Sequence, residues 1–330
     1  MMSVLCAGHV NWDVTLRVEH LPEPDGEVEV VERAQRGGGS AANVACGLAG
    51  LDTPAALFGS VGDDEMGENA REELRTVGVD TVRLRSVPGG ETAIKYLVVD
   101  QNGEVMVLSN AGANEAFTAE HLTGGFDGVD EGTPAQRAGV DEGTPAQKDG
   151  VDEGIPTKRA GIDHLHLTSQ LPETAAELAE RAQEAGVPVS FDPGRRLGDR
   201  DYGEALSQTD VLLLNRREAI TLVEEGMADD ELVESTVIVI KLGEDGAELH
   251  GTDGVVRHGG FVIDPLDTTG AGDAFAAGFI ASIQEDGGLD VADHENALKT
   301  ANACGALAAL VTGARAELSW ERIEQFKREH

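Results

Sequence analysis

Alternation of apolar and polar residues with a period of two marks the start of the chain. An apolar run at 4–8 reads as a strand. Residues 14–18 and 28–33 alternate on either side of a turn containing Pro22, Pro24 and Gly26. A matching pair, 93–99 and 105–108, flanks a turn at 100–103. Such runs predict half-exposed strands, and together they predict a small sheet apart from the main core, with lid strands from about 14–36 and 91–111. Between the two pairs the pattern predicts a small-residue helix at 44–50, a strand at 55–58, a turn at 59–64 and a helix at 66–77. From Ile162 onward strands recur at 164–167, 187–191, 211–214, 237–240 and 248–250, with helices between many of them. This alternation of β and α predicts a parallel sheet covered by helices.

One segment breaks the pattern. The unit Gly128-Val-Asp-Glu-Gly-Thr-Pro recurs from Gly139 and Gly150 and fades at Gly161-Ile162-Asp163. Its 11-residue spacing suits a right-handed coiled coil, but Gly and Pro in every copy exclude a helix. Residues 127–161 therefore read as a mobile surface insertion within a single domain spanning 1–330.

Charge narrows the function. The 330 residues include 61 acidic and 25 basic ones, a net charge of −36. The acids are spread along the whole chain, as in proteins of very salty cytoplasms, where counterions screen self-repulsion. Such a balance argues against nucleic-acid binding, which needs a basic footprint. Cys6, Cys46 and Cys304 form no C-x-x-C pair, so a disulfide framework or zinc site is not expected. No signal peptide is read before the first strand, and no apolar run reaches membrane-spanning length, which predicts a cytoplasmic protein.

The densest chemistry lies in Asp267-Thr268-Thr269-Gly270-Ala271-Gly272-Asp273. Apolar residues 261–263 precede it and an Ala-rich run at 274–283 follows, which reads as strand, glycine turn and helix start. The N–H groups of Gly270, Ala271 and Gly272 would form an anion nest at a helix N-terminus. A carboxylate inside such a nest repels phosphate, so Asp273 makes sense as a base that takes a proton from a hydroxyl while the nest holds the phosphoryl group under attack. A tight turn with an acidic first-turn residue favoured by the helix dipole is the competing account.

Further motifs occur in order: Gly38-Gly39-x-x-x-Asn43, Gly59-x-Val61-Gly62-Asp63-Asp64, Gly112-Ala113-Asn114, Phe191-Asp192-Pro193-Gly194-Arg195, Asn215-x-x-Glu218 and Gly243-x-x-Gly246. With this set the chain resembles the ribokinase-like sugar kinases, also called the PfkB family, over nearly its whole length except the repeats. The resemblance implies a doubly wound, mostly parallel α/β sheet with a small β-sheet lid. It implies ATP as phosphoryl donor, Mg²⁺ and a monovalent cation such as K⁺. Asp13, Gly38, Gly39 and Asn43 would line the sugar pocket. Asn215 and Glu218 would help hold Mg²⁺ and its waters, although the same pair also reads as a capping box. Lys241, Gly243, Gly246 and Asn302 would form the nucleotide side, with Lys241 standing where the family often has Thr. Asp267 resembles the family's cation site. Members of the family often dimerise through the lid, and the apolar faces here permit it.

The acceptor is left open. Ribokinases, fructokinases, nucleoside kinases, 2-keto-3-deoxygluconate kinases and sugar-phosphate kinases share this scaffold. In a chain so poor in cations, Arg33 and Arg36 flank the pocket glycines, Lys95 interrupts a lid strand, and Arg195 and Arg196 follow the Asp192-Pro193 turn. Arginine suits phosphate or carboxylate, so an anionic acceptor such as ribose 1-phosphate stands beside a neutral sugar. Pairing of these cations with the abundant acids is the plainer alternative. A dinucleotide-dependent oxidoreductase lacks its G-x-G-x-x-G after the first strand, and a Walker ATPase lacks its Gly-Lys-Ser/Thr. A non-catalytic sugar sensor would have no need of Asp273. The charge makes one prediction independent of the chemistry: thermal melting should shift upward between low and molar KCl, and an unchanged melting temperature would contradict salt-screened acidity.

Overall fold

The structure is a computed structural model that describes residues 3–122, 125, 126 and 161–330. Most of the repeat insertion read at 127–161 lies outside the described residues. In chain order the first half contains β1 (Val4–Ala7), β2 (Asn11–Val18), β3 (Val30–Gly38), α1 (Ser40–Gly50), β4 (Ala55–Gly62), α2 (Glu65–Thr76), β5 (Leu84–Val87), β6 (Ala93–Val99) and β7 (Val105–Ser109). The second half contains β8 (His164–Thr168), α3 (Pro172–Glu184), β9 (Val189–Asp192), α4 (Gly203–Leu206), β10 (Val211–Asn215), α5 (Arg216–Glu224), α6 (Asp230–Ser235), β11 (Val237–Lys241), β12 (Ala247–Gly251), β13 (Gly254–His258), α7 (Ala271–Glu285), α8 (His294–Ala309) and α9 (Trp320–Glu329).

The described strands form two sheets. The large one has nine strands in the order β13-β12-β11-β10-β9-β8-β1-β4-β5. Its pairs are parallel from β11 to β5, and β12 and β13 add an antiparallel edge. Both faces are covered, so β1 and residues 211–214 of β10 are apolar at every position. Along β1, Val4 and Cys6 enter the core shared with α1, α7 and α8, whereas Leu5 and Ala7 enter the core on the α3 side. Val211 and Leu213 of β10 part from Leu212 and Leu214 in the same way. The small sheet has four strands in the order β3-β2-β6-β7. The outer strand β7 leaves Val105, Val107 and Leu108 exposed.

Two local expectations need correction. Residues 59–62 are not a turn. They continue β4, pair with β5 and are fully buried. Their glycines permit close approach rather than reversal: a Cβ on Gly59 would lie 2.5 Å from the Gly8 carbonyl oxygen, and one on Gly62 would lie 2.5 Å from the Gly90 oxygen. Residues 261–263 are not a strand either. The sheet already ends at β13, so this segment finds no ladder partner. It turns at Gly260 (φ 74°) and crosses the sheet end. Phe261 packs edge-on against Phe326, while Val262 is 96% exposed.

Small residues bring the helices close. A Cβ on Gly47 of α1 would meet the Ala277 Cβ of α7 at 2.6 Å, and one on Gly278 would meet the Cys304 Sγ of α8 at 2.6 Å. The glycines thus set how near α7, which carries Asp273, lies to its neighbours. Gly47→Ala should destabilise the fold by about 1–3 kcal/mol through overpacking. Guanidinium unfolding in molar KCl measures this, and an unchanged midpoint would mean that α1 and α7 part without cost.

Candidate active site

The site lies at the carboxyl ends of the parallel strands, where open α/β sheets bind ligands. Gly270 caps α7 in the left-handed conformation (φ 77°), and a Cβ there would lie 2.1 Å from the Ala314 oxygen. Only glycine fits. The three nest donors read from sequence are not equivalent. The Ala271 N–H bonds back to the Thr268 carbonyl at 3.2 Å, because the chain tightens into a turn before the helix. The N–H groups of Gly270, Gly272 and Asp273 take no backbone acceptor among the described residues. They are the donors left at the helix start.

Asp267 steadies this loop. Its carboxylate accepts from Thr269 N–H at 2.9 Å and from Gly313 N–H at 2.8 Å. Burial works against its charge, but these hydrogen bonds and Arg36 outweigh it and hold its pKa below the ordinary value. Arg36 at the end of β3 donates to the Thr312 carbonyl at 2.8 Å, which ties the lid to the same turn.

Asp273 receives a hydrogen bond from Asn43 Nδ2 at 2.7 Å. Burial pushes its pKa up to about 6; the Asn43 bond opposes that rise, the nearby Asp192 charge adds to it, and Lys241 and Ser40 oppose it. Asn43 is itself held: its Oδ1 accepts from Arg315 Nε at 3.0 Å. Arg315 also pairs with Glu73 at 3.3 Å and donates to the Gly38 carbonyl at 3.3 Å. Glu73 in turn accepts from Gly37 N–H at 2.7 Å. Sequence reasoning missed Arg315 and Glu73. A cation directly after Gly313-Ala314 was a usable signal for the first, whereas Glu73 is one of many helix-surface acids and carried none.

Asp13 on β2 is 6% exposed, and its Oδ1 is buried without a partner. Gly38 leaves room for it, since a Cβ there would lie 2.2 Å from Asp13 Oδ2. Gly39 (φ 94°) presses against the His9 backbone. Strand register sets Asp13 directly between Arg36 of β3 and Lys95 of β6. Arg195 is exposed, whereas Arg196 and Arg200 bond to Glu115 at 2.9 and 2.5 Å.

Lys241, Gly243, Gly246, Gly272 and Asn302 line one cavity of about 650 Å³, with Phe261 on its wall. The apolar run once read as a strand is therefore pocket lining. Lys241 Nζ pairs with Asp192 at 2.5 Å. Burial disfavours the ammonium, yet Asp192 and Glu218 together raise its pKa. Asn215 and Glu218 form the reciprocal capping box of α5, at 2.8 and 2.9 Å. Burial first, and then the Asp192 charge, raise the Glu218 pKa.

A family model described as pfkB family carbohydrate kinase matches residues 1–321. The chain belongs to this family. It is 49% identical over 329 residues to an ATP-dependent ribose-1-phosphate kinase from Halopiger xanaduensis, covering 99% of this chain and 98% of that protein. Its fold matches a nucleoside kinase from Methanocaldococcus jannaschii with a TM-score of 0.80 at 21% identity, over 100% of this chain and 99% of the other. It also matches an Arabidopsis thaliana ribokinase solved with ribose and ATP, with a TM-score of 0.76 at 21% identity, over 99% and 98% of the two chains. The protein is a sugar kinase, a phosphotransferase with a hydroxyl acceptor. No helix among the described residues is long and apolar enough to cross a membrane.

With Asp273 as the candidate general base, the kinase should lose about 10²–10⁴-fold in kcat on Asp273→Asn, the usual cost of such a loss. Because the base must be ionised, kcat/KM should climb as pH rises through about 6. The Asn43 bond favours the carboxylate, so Asn43→Ala should move that limb to higher pH. Coincident limbs in the two pH profiles would separate Asn43 from the base.

Proposed function

We propose that this kinase transfers the γ-phosphoryl group of ATP to a free hydroxyl of a sugar 1-phosphate, ribose 1-phosphate being the best candidate. The observation that carries the reading is near-full-length 49% identity to a protein of that name. Local electrostatics support it. In a chain with 61 acids and 25 bases, the charges that bear on Asp13 besides its own burial are three cations, Lys95, Arg315 and Arg36.

Asp273 takes the acceptor proton through a carboxylate oriented by Asn43. The N–H groups of Gly270, Gly272 and Asp273 stabilise charge on the phosphoryl group in flight. The 650 Å³ cavity takes the nucleotide, with Gly243, Gly246 and Asn302 on the base side and Lys241 near the phosphates. Asp13 accepts hydrogen bonds from sugar hydroxyls, and Gly38 and Gly39 let the sugar approach the backbone. The lid excludes water from the reacting groups.

Among the described residues no group of three or more acids, histidines or cysteines forms a metal cage. Glu218 and Asp192 nevertheless supply hard oxygen donors, which fits Mg²⁺ held through water and phosphates. When bound, it neutralises triphosphate charge. Asp267 keeps a lone pair on each oxygen for a K⁺ ion beside the nest. A second copy packing across the lid, at the exposed Val105, Val107 and Leu108, and a cytoplasmic location where ATP is available belong to the same reading.

The test is an ATP-dependent assay across ribose 1-phosphate, ribose, fructose, 2-keto-3-deoxygluconate and nucleosides. Ribose 1-phosphate should exceed the neutral sugars in kcat/KM by at least ~10²-fold, the order expected when paired charges read a substrate group. A neutral sugar or nucleoside in first place would overturn the acceptor assignment.

A further inference from the structure

The acceptor region proposed above has two chemically different ends. Asp273 marks one, and the charges that act on it are those of Asp192 and Lys241. The other end surrounds His9, in the turn between β1 and β2. This ring is 9% exposed, and its Nε2 is buried without a hydrogen-bond partner. The charges that act on it are Arg196, Glu115, Arg200 and Lys95, a set that shares no member with the first. Glu115 fixes two of these cations, because its Oε1 accepts from both Arg196 and Arg200. Arg200 also donates to the Gln170 carbonyl at 2.8 Å. Lys95 is different. It lies directly across from Asp13 on the same face of the lid sheet and makes no hydrogen bond or ion pair among the described residues. Asp13, which faces Lys95, keeps its own Oδ1 buried and unpartnered.

A neutral ligand would leave this end overcharged. Lys95, Arg196 and Arg200 against Glu115 and the facing Asp13 leave one positive charge in excess, which favours an anionic ligand, and a phosphate monoester offers three oxygens where a carboxylate offers two. The donors also come from three separate elements, the β1–β2 turn, the lid strand β6 and the turn after β9, so they can reach three oxygens at once. Such charge-assisted contacts are the strong ones.

We propose that the phosphate already carried by the acceptor sugar is held here, by His9 Nε2–H, Lys95 Nζ and the Arg196 guanidinium, and that this subsite orients the sugar's free hydroxyl toward Asp273. The proposal rests on the reading of the acceptor as a sugar phosphate. Burial first, and then Arg196, push the His9 pKa down to about 4, so the ring is neutral near pH 7 and has one N–H to offer. Arg200 is a positioning residue: it acts through Glu115 on the orientation of Arg196. Lys95 sits on the lid, so a bound phosphate ties lid strand β6 to the β1–β2 turn and couples closure to the correct acceptor.

The experiment uses the full chain in molar KCl. Isothermal titration without ATP compares ribose 1-phosphate with ribose for the wild type, Lys95→Gln, Arg196→Gln and His9→Leu, and steady-state kinetics separate KM from kcat. Each substitution should weaken ribose 1-phosphate binding by about 10–100-fold, the range for a lost charge-assisted hydrogen bond. Ribose binding should stay within about 3-fold, and kcat at saturating ribose 1-phosphate should change far less than KM. Equal losses for both sugars, or no loss for either, would overturn the subsite while leaving the acceptor reading intact. A wild type that binds ribose as tightly as ribose 1-phosphate would overturn both. Lys95→Gln remains informative if the other variants misfold, since Lys95 holds no ion pair among the described residues whose loss would unsettle the fold.

Discussion

In the proposed mechanism Asp273 has to be close to phosphate without repelling it and ionised without being wasted on a permanent ion pair. The contact that reconciles these demands is the 2.7 Å hydrogen bond from Asn43. It orients the carboxylate and favours its charged form, but it adds no cation that would suppress its basicity. Asn43 can do this only because Arg315 holds its other end and Glu73 holds Arg315. The relay joins α7, α1, the turn after α8, and α2. Four elements distant in sequence therefore meet at one carboxylate, and much of the packing around α1 and α7 serves that meeting.

The same economy of charge runs through the site. In a chain with 61 acids, binding of ATP and of the proposed sugar phosphate requires the few cations to be gathered. Lys241 feels the charges of Asp192, Glu218 and Asp273 on the proposed nucleotide side. Arg36 secures the lid to the turn at 312–313, and Lys95 faces Asp13. Lys241 and Arg36 are fixed by an acid and a backbone carbonyl before any ligand arrives, so less ordering remains to be done on binding, whereas Lys95 makes no ion pair among the described residues.

Several features were legible from residue order alone because their physics is local. Alternation at 93–99 and continuous apolarity at 211–214 specify half-buried and fully buried strands through the two-residue side-chain period. Asn215 and Glu218 specify a capping box through three-residue spacing. Gly270, Ala271 and Gly272 mark a glycine turn into a helix start, although the sequence counts Ala271 among the free donors and the fold spends it on the Thr268 carbonyl. Residues 261–263 misled because an apolar run does not say whether it will find a neighbouring strand or a cavity. Residues 59–62 misled because a glycine that permits a turn equally permits two backbones to touch.

By itself, then, the sequence determined the α/β alternation, the order of the family motifs, the helix start that bears Asp273, and an acidity that argues against nucleic-acid binding. Only the tertiary structure decided that Ala271 is spent on a turn, that Arg315 and Glu73 support Asn43, and that Lys95 faces Asp13. The physical reason is range. Capping, periodicity and glycine conformations act within a few residues and leave a signature in the order of the chain. Hydrogen bonds such as Arg315 to Asn43 span hundreds of positions, and their partners become neighbours only after the sheet and its helices have packed.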